Sequence, residues 1–387
     1  MSDLILAGGR DIDPLLFVTS EKTHNLIEDS GLALELSIRK PHELVRFTDT
    51  DKPEDAAKEF WERAPREPER SKFAGVVLIG GYEHVPSQVV FAGKSKTFMD
   101  HDPDRLFVWN DDVYGDKDGA GLPELPVSRI PLVKVDDLVN GDDLRRALRA
   151  RRMSAVGRRA DWRKIRASGF LFPEVIHSEV PGRGSALASP PHGTFTPDNM
   201  TADRIYIALH GDSAQPSVFM NDDLNDDVRV FLQRDIPSAD GVIDGAVVFA
   251  ACCWGALTAN TPAEKPGLTH SLPKSFATHP KDQSIALTFI ANGARAFVGF
   301  TAHHWVPDQA PYEYFGSPLH GMFWVNVNHL NMPPARALFR AKAEYSLFIK
   351  GRHMAPPADP KRTWLQDAAY DLELKTLWSA TCLGLGW

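Results

Sequence analysis

Two apolar runs in this chain each end in a reactive side chain. Residues 205–209 lead directly into His210, and residues 246–251 lead into Cys252 and Cys253. Continuous apolar runs of this length are typical of strands buried in a parallel sheet. Because ligand sites gather at the carboxyl ends of parallel strands, we expect the imidazole and a thiol to lie at one edge of the sheet. This pair predicts acyl transfer, in which sulfur attacks a carbonyl carbon and the imidazole moves the protons.

The residues next to this pair fit the same chemistry. Gly211 lets the backbone approach a substrate closely, and its N–H and that of Cys252 are candidate donors to a developing oxyanion. The cysteine doublet leaves the nucleophile open, since adjacent strand-end side chains point in opposite directions and only one of them can face His210. A single cysteine at a strand end is usually a small buried hydrophobe. The two matched strand ends together are what favour a catalytic role.

Apolar runs alternate with amphipathic stretches along the chain, which predicts an α/β fold around a largely parallel sheet. The clearest predicted strands are residues 76–79, 205–209, 246–251 and 296–300. The predicted helices are residues 53–63, 142–152, 284–292 and 334–348. Proline opens the first and last of these helices and glycine follows the third, as helix starts and stops favour.

A basic stretch with little apolar periodicity separates two parts of the chain. Arg and Lys are dense over residues 145–166. We interpret it as a solvated helix face and linker, so that residues 1–152 form a non-catalytic α/β subdomain and residues 153–387 a catalytic one beside it. An exposed basic linker is also a candidate processing site or a contact for an acidic partner.

Composition narrows the functional classes. The chain has 387 residues, 43% of them hydrophobic, and a formal net charge of −8, which argues against nucleic acid as the main partner. Neither a signal-peptide core nor a run of about 18 uncharged apolar residues occurs, so we expect a cytoplasmic protein without a membrane partner. Three cysteines do not make a disulfide framework. Motifs typical of phosphate loops, serine hydrolases and zinc peptidases are missing from the sequence.

Two further clusters suggest metals only weakly. Asp111, Asp112, Asp116 and Asp118 are oxygen donors of the kind that calcium prefers, but their spacing does not match an EF-hand, and an exposed acidic turn is favoured. The two adjacent histidines at 303–304 have no nearby Cys, Asp or Glu at the spacing that metal ligands need. We therefore predict no required cofactor and no metal site, with calcium as the one cation to consider.

The order of several motifs resembles the caspase-like cysteine peptidases, and gingipains in particular. His-Gly after one strand and Ala-Cys-x-x-Gly after the next carry the general resemblance. The more specific motifs are Asn-Asp-Asp-Val-Tyr-Gly-Asp at 110–116, Leu-Pro-Val-Ser-Arg-Ile-Pro at 125–131, Asn-Gly-Ala-Arg-Ala-Phe-Val-Gly at 292–299 and Thr-Ala-His-His-Trp at 301–305. The resemblance covers about residues 73–350. It departs from the family at Ser128, where gingipains usually have glycine, and at 378–387, where Gly-Asp-Pro is missing.

The resemblance implies a caspase/gingipain-like α/β/α sandwich and a cysteine endopeptidase that acts on proteins or peptides through a thioester. His210 matches the family's catalytic histidine, and Gly211 and Cys252 match its oxyanion donors. Spacing to the following glycine favours Cys252 as nucleophile on the gingipain pattern and Cys253 on the caspase pattern; Cys252 is preferred. Trp305 matches an aromatic wall of the substrate pocket, and Glu179 lies in the stretch that sets substrate preference.

Two other functions share this fold and remain open. A catalytically inactive caspase-like scaffold or regulatory module would keep the fold without the chemistry. A transpeptidase would use the same dyad and pass the acyl group to an amine.

Overall fold

The computed structural model describes most of the chain. The described residues are 13–93, 99–132, 140–149, 162–166, 187–188, 202–221, 228–236, 243–263, 276–307, 315–354 and 363–387. The strands are β1 (Leu15–Ser20), β2 (Glu43–Phe47), β3 (Gly75–Ile79), β4 (Gln88–Phe91), β5 (Phe107–Asn110), β6 (Val127–Ile130), β7 (Trp162–Arg166), β8 (Leu187–Ala188), β9 (Arg204–Ala208), β10 (His210–Gly211), β11 (Val218–Asn221), β12 (Val228–Leu232), β13 (Val247–Ala250), β14 (Ala296–Phe300) and β15 (Ala380–Leu383). The helices are α1 (Glu21–Asp29), α2 (Leu34–Ser37), α3 (Pro53–Arg63), α4 (Gly141–Leu148), α5 (Ile285–Ala291), α6 (Ser317–Asn328), α7 (Pro334–Met354) and α8 (Thr363–Ser379).

Ten strands form one central sheet in the order β2-β1-β3-β6-β15-β14-β13-β9-β7-β8. Strands from residues 15–130 make one side of it and strands from residues 162–383 make the other. Neighbouring strands are parallel except at β14 and β15, which are antiparallel. The predicted α/β class with a mostly parallel sheet is confirmed; the boundary near residue 152 stays a prediction, because the sheet runs through both parts.

The antiparallel step at β15 reverses the direction of half the sheet. β15 pairs parallel to β6 through Leu383 and Arg129, and antiparallel to β14. The carboxyl ends of β9, β13 and β14 therefore share one edge, while those of β1, β3 and β6 lie at the opposite edge. This gathers the segments that follow β9, β13 and β14 in one place.

Local sequence explains the elements that support this edge. β13 and β14 are buried along their whole length, as expected for central strands covered on both faces. Helix α5 is entirely buried, and Ser284 caps its N-terminus, with its hydroxyl accepting the Leu287 N–H at 3.3 Å. The main core packs around these elements, and a smaller aromatic cluster joins Trp109 of β5 to Leu257 and Phe276. None of the described helices is long and apolar enough to cross a lipid bilayer.

Candidate active site

The structure brings the two predicted strand ends together. β9 and β13 are parallel neighbours with Ile207 opposite Ala250, and the Ala251 N–H continues the ladder by donating to the Ile207 carbonyl at 2.7 Å. His210 and the cysteine doublet therefore follow adjacent strands at the same edge of the sheet.

Gly211 lies against the cysteine turn. His210 and Gly211 form β10, which pairs antiparallel with Met220 and Phe219 of β11. A β-carbon built on Gly211 would overlap the carbonyl oxygen of Cys253, so only glycine allows this approach of the two backbones. The Gly211 backbone also acts on the Cys253 sulfur and favours its thiolate form, which lowers the pKa of that thiol.

Cys252 and Cys253 face different surroundings. Cys252 is 1% exposed, belongs to the main core, and its sulfur lies 3.9 Å from the Ile207 carbonyl oxygen. Burial raises the pKa of Cys252 far above the usual thiol value. This environment argues against the preference for Cys252 that its spacing to Gly255 supported, because a substrate carbonyl has no access to a sulfur enclosed in the core.

Cys253 is the more exposed residue of the two. It is only partly buried, and its sulfur lies 3.4 Å from the His304 amide nitrogen and 3.5 Å from the His304 carbonyl oxygen. Burial raises the pKa of Cys253 to about 11, opposed by the backbone N–H groups and by the charge of Lys375. The thiol is therefore protonated at neutral pH, and attack by its sulfur requires a base.

The turn after Cys253 is strained. Trp254 has φ of 49°, a left-handed conformation that costs a residue with a β-carbon about 1–2 kcal/mol. Its N–H donates to the Ala302 carbonyl at 2.9 Å, and Gly255 N–H closes the turn on the Cys252 carbonyl at 3.1 Å. These bonds attach the cysteine turn to the segment that follows β14.

That segment supplies aromatic rings beside the thiol. The His303 ring meets Trp254 edge-on at 5.3 Å between centroids and Trp305 at 4.8 Å. Burial lowers the pKa of His303 to about 4, and the charges of Lys375 and His210 act in the same direction, so the ring is neutral at pH 7. His210 therefore lies close enough to His303 to interact electrostatically. The rings of Trp254, His303 and Trp305 form an aromatic wall; that Trp305 lines a substrate pocket stays a prediction.

A row of uncharged polar side chains, which contact one another through ring nitrogens and a hydroxyl, supports the same segment. The Nε2 atoms of His304 and His320 lie 3.0 Å apart, and His320 Nδ1 lies 3.0 Å from the Tyr206 hydroxyl. Burial lowers the pKa of His320 to about 3 and that of His304 well below its usual value, so neither ring carries charge at pH 7. His304 also stacks on Phe300 at 3.6 Å between centroids. These contacts hold in place the His304 backbone, whose amide and carbonyl groups contact the Cys253 sulfur.

A buried ionic cluster contacts the residues of the aromatic wall. Lys375 Nζ contacts Asp102 Oδ1 and Oδ2 at 2.7 Å each and Asp104 Oδ2 at 2.8 Å. The three side chains are 1%, 0% and 2% exposed, respectively. Sequence reasoning missed this cluster, because its members come from distant segments and neither their types nor their spacing is unusual.

Other candidate residues lie elsewhere or are engaged otherwise. Glu179 falls outside the described residues. Asp111 pairs with the buried Arg129 at 2.6 Å and Asp112 with Lys342 at 2.5 Å, so neither joins a common oxygen site. The other two aspartates of that segment approach a third carboxylate; the group is Asp116, Asp118 and Glu124, largely exposed.

Comparison with known proteins supports the fold. No family model matches the chain, and no curated protein matches it in sequence. Among solved structures, the arginine-specific cysteine proteinase gingipain R (RGPB) is similar with a TM-score of 0.54 and 11% sequence identity, over 98% of this chain and 78% of that one. At this identity the similarity establishes a shared fold and nothing finer. The chain therefore has a gingipain-like, caspase-like α/β fold.

Proposed function

We propose that this protein is a cysteine peptidase in which Cys253 is the nucleophile and His210 transfers protons. The observation that carries the proposal is the close contact between Gly211 and Cys253, which puts the backbone after the histidine directly against the one cysteine of the doublet that is partly exposed. A neighbouring histidine is the base that a protonated thiol needs.

In the proposed reaction, the Cys253 thiol gives its proton to His210 as sulfur bonds to the carbonyl carbon of a peptide. The resulting oxyanion accepts a hydrogen bond from the Gly211 N–H. The carbon–nitrogen bond then breaks, the leaving amine takes the proton from His210, and a thioester remains on Cys253. Water, deprotonated by His210, adds to the thioester, and the thiol leaves with the proton to regenerate the enzyme.

A proteome-derived peptide library and a peptidyl acyloxymethyl ketone test this proposal. We expect cleavage and rapid ketone labelling by the unmodified chain, loss of both in Cys253→Ala, and retention of both in Cys252→Ala. Loss confined to Cys252→Ala would return the nucleophile to Cys252 and contradict the proposal. Transfer of the acyl group to an added amine would identify a transpeptidase with the same dyad.

The second candidate function is a catalytically inactive module of the same fold. The raised pKa of both thiols favours it, since neither sulfur is a thiolate at neutral pH. Such a module predicts that the ketone reacts with the protein no faster than with a free thiol. Labelling well above that rate would exclude it.

A further inference from the structure

The ionic cluster of Asp102, Asp104 and Lys375 holds the loops that form the proposed site. Asp104 Oδ1 accepts the Trp254 indole N–H at 2.8 Å, and Asp104 Oδ2 accepts the His303 amide N–H at 2.5 Å. One carboxylate therefore contacts both the cysteine turn after β13 and the aromatic segment after β14.

The second carboxylate holds the neighbouring ring. Asp102 Oδ1 accepts the Trp305 indole N–H at 3.0 Å, and Asp102 Oδ2 accepts the Leu106 N–H at 2.8 Å. Lys375 of α8 bridges the two carboxylates, as described above. The cluster carries two negative charges and one positive charge, and its N–H donors compensate the excess negative charge.

Backbone strain concentrates at this cluster. Arg105 and Leu106, which directly follow Asp104, have φ of 53° and 62°, and Trp254 has φ of 49°. Such conformations persist only where surrounding contacts enforce them, and they tend to occur at functional sites. Here the carboxylates of Asp104 and Asp102 are among the contacts that hold Trp254 and Leu106.

We infer that Asp104 is a positioning residue of the proposed peptidase, holding the strained turn at Trp254 so that the sulfur of Cys253 stays beside the Gly211 backbone and the His304 amide. The inference rests on the proposed function in taking Cys253 as the reacting group. It also gives the part of the chain before residue 152 a role at the site, since Asp102 and Asp104 reach it from the segment before β5. Thr301 supports this arrangement by donating its hydroxyl hydrogen to the Trp109 carbonyl of β5 at 2.7 Å.

The charge of Asp104 provides a readout that a purely structural role would not change. Asp104 raises the pKa of the Cys253 thiol, whereas Lys375 lowers it. Removal of the Asp104 charge therefore shifts the thiol pKa downward. Removal of the Trp254 indole N–H breaks the same anchor and leaves the charge in place.

The test compares Asp104→Asn and Trp254→Phe with Glu373→Gln in the full-length chain. Glu373 is also a buried carboxylate of α8, but it pairs with Arg352 at 2.8 Å and His353 at 2.7 Å. Alkylation of Cys253 by iodoacetamide is followed across neutral to alkaline pH with peptide mapping, and kcat and KM are measured on a cleaved peptide.

We expect both site variants to lower kcat about 10- to 100-fold with little change in KM, as small misplacements of reacting groups do. Asp104→Asn should also move the midpoint of the alkylation profile to lower pH, while Trp254→Phe should not. Glu373→Gln should lower thermal stability alone. If Asp104→Asn folds and behaves like Glu373→Gln, the inference is wrong. If Asp104→Asn does not fold, an unchanged kcat in Trp254→Phe would equally contradict the inference.

Failure of the proposed function is distinguishable from failure of this inference. An unmodified chain that cleaves no peptide but whose alkylation midpoint still falls in Asp104→Asn would remove the peptidase and leave only the electrostatic effect of Asp104 on Cys253. An active peptidase with an unchanged midpoint and an unchanged kcat in both variants would remove the positioning role alone.

Discussion

Cys252 and Cys253 are adjacent in sequence but belong to two different regions. Cys252 lies in the core at the end of β13, among apolar side chains and near the Ile207 carbonyl. Cys253 lies in a polar layer formed by the Gly211 backbone, the His304 amide and the ionic cluster of Asp102, Asp104 and Lys375. The comparison shows that a sequence motif locates the end of a strand, whereas the backbone of the following turn decides which of two neighbouring side chains enters the core.

The largest effect should come from His210. We expect His210→Ala to lower kcat about 10²- to 10⁴-fold, because proton transfer by a positioned side chain contributes that much. Peptide hydrolysis measures it, with the exposed His329→Ala as the matched control. Activity equal to that of the control would show that His210 does not transfer protons in the reaction.

Gly211 tests the contact between the two strand ends. A β-carbon there would overlap the Cys253 carbonyl oxygen, so Gly211→Ala must shift β10 away from the cysteine turn, and we expect about a 100-fold loss of kcat/KM. Gly351→Ala in α7 is the control, since a β-carbon there meets nothing within 4 Å. Equal activities for the two variants would show that this backbone contact has no part in catalysis.

Replacement of Lys375 tests how much this cation stabilises the buried carboxylates of Asp102 and Asp104. Lys375→Met leaves two buried carboxylates without their cation and should lower the free energy of unfolding by about 3–5 kcal/mol. Denaturant titration at neutral pH measures this loss.

The same variant has a signed pH dependence. Burial raises the pKa of Asp104 and Lys375 opposes that rise, so the variant's Asp104 pKa is higher still. A native state with the higher pKa binds the proton more tightly than the unfolded chain, and its stability falls as pH rises through that pKa. The deficit of Lys375→Met should therefore shrink as pH is lowered from neutrality toward the raised pKa; a deficit that grows on acidification would contradict this account.

The smallest effect should come from Cys252. In the core it acts as a small hydrophobe, so Cys252→Ala should cost about 1 kcal/mol of stability and leave kcat unchanged. Thermal unfolding and peptide hydrolysis measure the two quantities. A large loss of activity with a native melting curve would show that Cys252, and not Cys253 alone, is needed for the reaction.

The sequence predicted the elements that depend on local pattern. Strand β14 and helix α3 have the predicted bounds, and β3, β9 and β13 differ from theirs by a residue or two, because continuous apolar runs and a leading proline are local signals. Helix α7 continues to Met354 rather than ending at residue 348. Strand β15 was not predicted, since its four residues gain stability only by bridging β6 and β14.

The candidate site was predictable only in part. That His210 and the cysteine doublet follow neighbouring strands was predictable from the two strand ends, whereas the roles of these residues and of Trp305 stay predictions. Which of the two cysteines is partly exposed depends on the left-handed backbone of Trp254. A tryptophan gives no sequence signal for that conformation. The Asp102–Asp104–Lys375 cluster joins segments more than 250 residues apart, and such long-range pairs leave no spacing pattern in one sequence.

Mass-spectrometric mapping of the adduct formed by a peptidyl acyloxymethyl ketone tests the central claim most directly. The account predicts a single thioether on Cys253, formed much faster than with a free thiol and absent when His210 is replaced by alanine. An adduct on Cys252, or a rate equal to that of a free thiol, would contradict it.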